Sequence, residues 1–297
     1  MPSAHLPDRG AILVSGEDAF GFLQGLVTGN VETLEPGGAR LAALLTPQGK
    51  ILFDFLMIDA RKSADALPGI DGYLLDCARG IMPDLIKRLG FYKLRAKVQV
   101  AEAANVDGPL AVIASWGTDA LPLPGALTVH DGRHPGLGER QYVRVSDARL
   151  ATASAAAYAT HRIGLGIPEG GKDFAFGEAF PHDVDMDQLG GVDFAKGCYI
   201  GQEVVSRMEH RGTARRRIVI AHGAPLPATG TAILAGEIPI GSLGSTAGDS
   251  GLALIRLDRA KEAMDAGRPI TAGGTAISLT VPDWARFGWP AAVAADA

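Results

Sequence analysis

The chain has 297 residues, 47% hydrophobic and 21% charged, which is the balance of a globular protein and excludes a chain dominated by disorder. Its formal net charge of -5 excludes the overall basic footprint of a general nucleic-acid binder, so any anion site must be local. Two cysteines, Cys77 and Cys198, are too few for a disulfide scaffold or for a four-thiolate zinc or iron–sulfur site within one chain.

The opening MPSAHLPDRG lacks a charged-then-apolar leader pattern, and no run approaches the ~18 apolar residues of a membrane span, so a cytoplasmic location is expected. Ser15 reads as a helix N-cap followed by Glu17 and Asp18, and Ala19, Phe22, Leu23 and Leu26 give a helix over about 16–27. ARLAALLT and ILFDFLMI flank Pro47-Gln48-Gly49-Lys50 as a hairpin. YLLDCA and KVQVAE read as strands around a short helix, PDLIKRLG, with Pro83 near its start and Gly90 past its end. Short strands in PLAVIAS and ALTVH follow, then QYVRVS, after which Ser146-Asp147 opens an Ala-rich helix ending near Gly164. Residues 164–196 have little periodicity, and a connection of that length in a compact domain is usually functional or poorly ordered. After Arg217 the texture changes to short β runs (RIVIAH, TAILA, IPIGSLG, LALIRL, TAISLTV) with one helical patch over 258–266, which fits a small barrel or sandwich. The fold class is α+β.

The most informative stretch is Lys196-Gly197-Cys198-Tyr199-Ile200-Gly201-Gln202-Glu203. Val204, Val205 and Met208 are spaced for a buried helix face, which places Cys198 at or just before a helix start. There the dipole, with Lys196 and Arg207, favours the thiolate. Gln202 and Glu203 suit a first helical turn. The competing reading is a small buried cysteine in a loop-to-helix corner, because free cysteine is commonly buried; Cys77, inside YLLDCA, takes that reading still more strongly. The cationic run Arg207, Arg211, Arg215, Arg216 and Arg217 is open between a salt-bridge strip and a seat for an anion or an acidic partner. His210 and His182-Asp183 have no second ligand pair with metal spacing, so no metal site is expected within the single chain.

KGCYIGQE resembles the signature of the YgfZ-type folate-binding proteins, whose mitochondrial members assist iron–sulfur assembly. The resemblance extends through LQGLVT (23–28), TPQGKILFDF (46–55), RIGLGIPEG (162–170) and LGGVDF (189–194). It implies the fold of the wider glycine-cleavage T-protein superfamily: interleaved ferredoxin-like folate-binding domains over 1–213 and a C-terminal β-barrel over 214–297. It also implies tetrahydrofolate or a derivative as cofactor, with Tyr158, Gln24, Thr28, Asp54 and Arg162 as candidate contacts by their place in or near matching segments.

Cys198 becomes the functional thiol, supported by Lys196, Gln202, Glu203 and Arg207, and a candidate ligand of a transient, shared iron–sulfur cluster. The partners implied are iron–sulfur assembly proteins and client iron–sulfur enzymes, including tRNA-modifying ones, with no direct nucleic acid and no membrane. Two departures from the T-protein pattern bear on chemistry. Phe53-Asp54 stands where that protein has paired acids, and Gly164 in RIGLG stands where it has a folate-binding glutamate. Both argue for an accessory factor over the alternative, a folate-dependent aminomethyltransferase or other one-carbon transferase. A third reading is a folate-regulated binding module with a structural cysteine.

Overall fold

The computed structural model describes residues 2–61, 67–105, 108–117, 122–212 and 214–290. Two compact units emerge: Met1–Tyr158 with Leu189–Gln202, and Ala159–Gln188 with Glu203–Ala297. The domain boundary expected at 213/214 falls on Thr213, outside the described residues.

The first unit is built on ten strands: β1 (Ser3–His5), β2 (Arg9–Ser15), β3 (Gly38–Leu45), β4 (Ile51–Asp59), β5 (Tyr73–Ala78), β6 (Gln99–Glu102), β7 (Ala104–Asn105), β8 (Gly108–Ser115), β9 (Leu127–Asp131) and β10 (Glu139–Arg144). They form one sheet in the order β1-β8-β10-β9-β3-β4-β5-β2-β6, with β7 paired to β8. Every pairing is antiparallel except β3 with β9. The expected hairpin is β3–β4, turning at Gly49, whose φ of 81° is the left-handed conformation that glycine adopts without strain. Helices α1 (Ala19–Gln24) and α2 (Met82–Lys93) bury Leu23, Leu85 and Leu89 in one core with Ile12, Leu44, Phe55 and Leu75.

Two helix boundaries depart from expectation. α1 is shorter than 16–27 because Ser15 still belongs to β2 and the Asp18 carboxylate accepts the Lys97 N–H at 2.8 Å instead of capping its own helix. α2 continues through Gly90 to Lys93, since its packing through Leu85 and Leu89 outweighs the ~1 kcal/mol cost of one helical glycine. Likewise α3 (Ala155–Gly164) starts after the expected Ser146-Asp147, because 145–150 form a 3-10 turn ending in extended Ala151.

The second unit carries α4 (Gln202–Arg211), which begins on the last residue of the first, and seven strands: β11 (Arg216–His222), β12 (Ala232–Ala235), β13 (Ile238–Ala247), β14 (Ser250–Arg256), β15 (Ile270–Ala272), β16 (Thr275–Ala276) and β17 (Ser278–Thr280). Their order, β16-β15-β12-β13-β14-β11-β17, puts two chain-adjacent strands at opposite ends of the sheet, which curls it into a near-closed barrel. Alternating inward residues such as Val219, Ile233, Leu243 and Ile255 fill it. Helix α5 (Leu257–Asp265) buries Leu257, Ala260 and Ala263 against the same core. Among the described residues no helix is long and apolar enough to cross a membrane.

Candidate functional site

Within the first unit the KGCYIGQE loop is held by three neighbouring carbonyls. Lys196 is 6% exposed, and its Nζ donates to Val27 O at 2.7 Å and Gly29 O at 2.8 Å. The carbonyl between them, Thr28 O, accepts the Asp193 N–H at 3.0 Å. The Thr28 hydroxyl completes the clasp, donating to Gly191 O at 2.6 Å and accepting the Ala43 N–H at 2.8 Å. Asp193 then caps the loop from inside, with Oδ1 accepting the N–H groups of Ala195 and Lys196. Burial pushes the Lys196 ammonium down to about 8, with Asp193 opposing. Burial also raises the Tyr199 phenol to about 12, and Lys196 Nζ lies 5.4 Å from the centroid of its ring.

The far end of the loop is fixed by close packing. Gly201 has φ +80°, and a Cβ there would lie 2.5 Å from Thr46 O and 3.0 Å from Gly49 Cα, on the β3–β4 turn. Between the two anchors, Gly197 and Cys198 are exposed. Cys77, by contrast, is fully buried, and desolvation raises its thiol to about 12. Two segments distant in sequence, 27–29 and 46–49, therefore hold the stretch 191–201, which carries one exposed thiol.

Several expected roles change with this geometry. Cys198 is four residues ahead of α4, with left-handed Gly201 between, so it does not stand at the helix start. Lys196 is committed to carbonyls, and Arg207 pairs with Glu203 one turn away on its own helix. Gln202 opens α4, its N–H reaching Tyr199 O at 3.3 Å. Gln24 bridges its own loop, accepting the Val31 N–H at 2.8 Å and donating to Asn30 Oδ1 at 3.0 Å. Asp54 stands opposite Ala43 in the β3–β4 register, its charge close enough to add to the rise of the Cys77 thiol.

Tyr158, expected as a wall of a pterin slot, is 3% exposed, and its hydroxyl accepts from Arg140 Nη2 at 2.7 Å and Arg133 Nη2 at 3.2 Å. Both arginines pair with Asp131; burial works to raise that carboxyl, and the two guanidinium groups hold it well below the usual range. A pocket of about 570 Å³ lies elsewhere in this unit, with Leu34, Glu35, Arg40, Gly132, Asp193 and Phe194 on its walls. Asp193 and Phe194 immediately precede the clasped lysine. Burial works against the Asp193 charge, but the Asn30 side chain, the two capping amides and Arg40 keep its carboxyl below the usual value.

The second unit holds Arg162 in a buried network: Nη1 donates to Asp173 Oδ2 at 2.7 Å and Nη2 to Ser245 Oγ at 3.0 Å. Of its cationic run, Arg217 takes the salt-bridge role, being 7% exposed and paired to both oxygens of Asp187 at 2.5 and 3.0 Å. His182 Nε2, Asp187 and Glu209 bring ligand atoms within 4.8 Å of one another, a grouping that sequence spacing does not reveal. Asp187 there also accepts from Gln188 at 2.7 Å, in addition to Arg217.

The C-terminal beta-barrel domain family of CAF17 matches residues 215–287. The mitochondrial iron–sulfur cluster assembly factor IBA57 homolog of Mycosarcoma maydis is 32% identical over 244 residues, covering 76% of this chain and 59% of that protein. Human mitochondrial iron–sulfur cluster assembly factor IBA57 is 29% identical over 309 residues, covering 96% and 84%. The chain is thus similar to proteins of the IBA57/YgfZ type. It spans 59% and 63% of the length of two fungal members, from Mycosarcoma maydis and Chaetomium globosum. The crystal structure of the glycine cleavage system aminomethyltransferase T from Bartonella henselae has a TM-score of 0.69 at 14% identity, covering 94% of this chain and 84% of that one. The fold is thus of T-protein type.

Proposed function

We propose that this protein is a folate-binding accessory factor that sustains iron–sulfur enzymes, tRNA-modifying ones among them, with the exposed Cys198 thiol handling the cluster or its sulfur as cargo. One observation carries the reading: two distant segments, 27–29 through the Lys196 and Thr28 clasp and 46–49 through Gly201, hold a loop whose exposed side is Cys198. A lone structural cysteine needs no such frame. The names of the relatives, iron–sulfur cluster assembly factors, agree with it. The partners are iron–sulfur assembly proteins and client enzymes, and the location is the cytoplasm. Replacing Cys198 in cells that depend on this protein is the test of the thiol's role.

The folate is assigned to the pocket beside the clasp. Its size lies in the range of small-molecule sites, roughly 300–1,000 Å³. Phe194 offers a ring face, Glu35 and Asp193 offer carboxylates for the amino edge of a pterin, and Arg40 offers a cation for a glutamate tail. A bound reduced folate would supply one-carbon or reducing chemistry. Calorimetry with tetrahydrofolate should detect binding that Phe194→Ala weakens at least fivefold. Absence of heat at millimolar ligand would contradict this half of the reading. Aminomethyl transfer is disfavoured: Phe53 packs on the core and Gly164 carries no acid, and a missing proton-transfer group costs ~10²–10⁴-fold.

A further inference from the structure

We propose that the C-terminal end of α2 is a docking surface for a partner protein that presents an apolar pocket rimmed by acidic residues. The inference rests on the accessory-factor reading and names the chemistry of the partner. α2 buries Met82, Leu85 and Leu89, yet its last turn presents Phe91, 63% exposed, and the residue after it, Leu94, 90% exposed. Leu94 has φ 41° and ψ −104°, a left-handed conformation that leucine rarely adopts. A glycine or a polar residue would serve a plain helix end better, and strained backbone of this kind concentrates at functional positions.

The two apolar side chains lie in a basic stretch of the sequence. Residues 85–101 contain Lys87, Arg88, Lys93, Arg95 and Lys97 and no acid, in a chain of net charge -5. Lys97 pairs with Glu17, while Lys87, Arg88, Lys93 and Arg95 have no ion-pair partner among the described residues. An apolar centre with a charged rim is the anatomy of a protein interface, and the rim calls for a complementary acidic surface. Two other polyanions fit less well. Leu94, the most exposed large apolar side chain among the described residues, adds nothing to an RNA contact, since unlike Phe91 it cannot stack on a base. An extended anionic bilayer would be repelled by the rest of this acidic chain and has no use for one leucine fixed in a strained backbone.

The test places a photo-cross-linking amino acid at Gly90 of the full-length chain in living cells. An added Cβ at Gly90 meets no atom within 4 Å, so both apolar side chains stay intact. The expected result is one dominant heteroadduct whose cross-linked peptide is acidic. Leu94→Gly, which relieves the backbone while removing the side chain, should lower its yield at least tenfold, as should Lys87→Glu combined with Arg95→Glu. Each purified variant should melt no lower than the parent and keep its Cys198 alkylation rate. An adduct with a second copy of the chain, with nucleic acid or with lipid would overturn the proposal, as would a non-acidic cross-linked segment, a yield unmoved by Leu94→Gly, or no adduct. Full support of iron–sulfur enzymes by Cys198→Ser would instead sink the functional reading and leave the adduct untouched.

Discussion

Lys196 shows how one buried charge can organise an exposed loop. Its ammonium is held by Val27 O and Gly29 O, and burial lowers it to about 8 from an ordinary value near 10.5. Between those two values the unfolded chain binds more protons at this residue than the folded one, so this group makes stability rise as pH goes from about 8 to about 10.5. Below about 8 both states are protonated and that contribution is absent. Urea denaturation of the wild type and Lys196→Met across this range should show the rise only in the wild type; equal slopes would mean that the ammonium is solvated. The sequence exposes Lys196 as part of a motif but assigns it to the wrong task. Adjacency in sequence suggested a charge for Cys198, whereas the partners are carbonyls 167 and 169 residues away.

At the scale of elements, the strands were the most legible part, and YLLDCA coincides with β5 residue for residue. Their period-2 patterning is set by burial on the sheet, which the sequence carries directly. Helix ends were less legible, because capping by Ser15 or stopping at Gly90 competes with packing and with Asp18 turning to the Lys97 backbone. The meeting of the β3–β4 turn with Gly201 could not be read from either segment alone, since it is a contact across 155 residues between Thr46 and Gly201. It yields a contrast. Gly201→Ala combines a left-handed φ with a 2.5 Å clash against backbone and should cost about 2–4 kcal/mol, the sum of strain and overpacking. Gly197→Ala, with open space around its Cβ position, should stay within about 0.5 kcal/mol. Urea midpoints of the two variants check this, and similar midpoints would show that the turn does not grip the loop.

Over the whole molecule, each unit is specified as much by buried ion pairs as by its apolar core. In the first, Asp131 joins Arg133 and Arg140, and in the second Asp187 joins Arg217. Composition gave no sign of them, because a charged residue reads as surface until its partner is placed. Removing one partner strands the others, so Asp131→Asn should destabilise by about 3–5 kcal/mol. Because the folded Asp131 carboxyl lies below its unfolded value, its contribution is present above about pH 4 and disappears as pH falls through the folded value. Acid titration of stability in the variant should therefore lack part of the wild-type decline, and superimposable profiles would contradict the pairing. The proposed function rests on one thiol, that of Cys198. The most direct measurement of that claim is iron–sulfur enzyme activity in cells whose only copy of the protein carries Cys198→Ser or Cys77→Ser. The account predicts that both variants fold, that Cys77→Ser sustains those enzymes, and that Cys198→Ser does not; full activity with Cys198→Ser would contradict it.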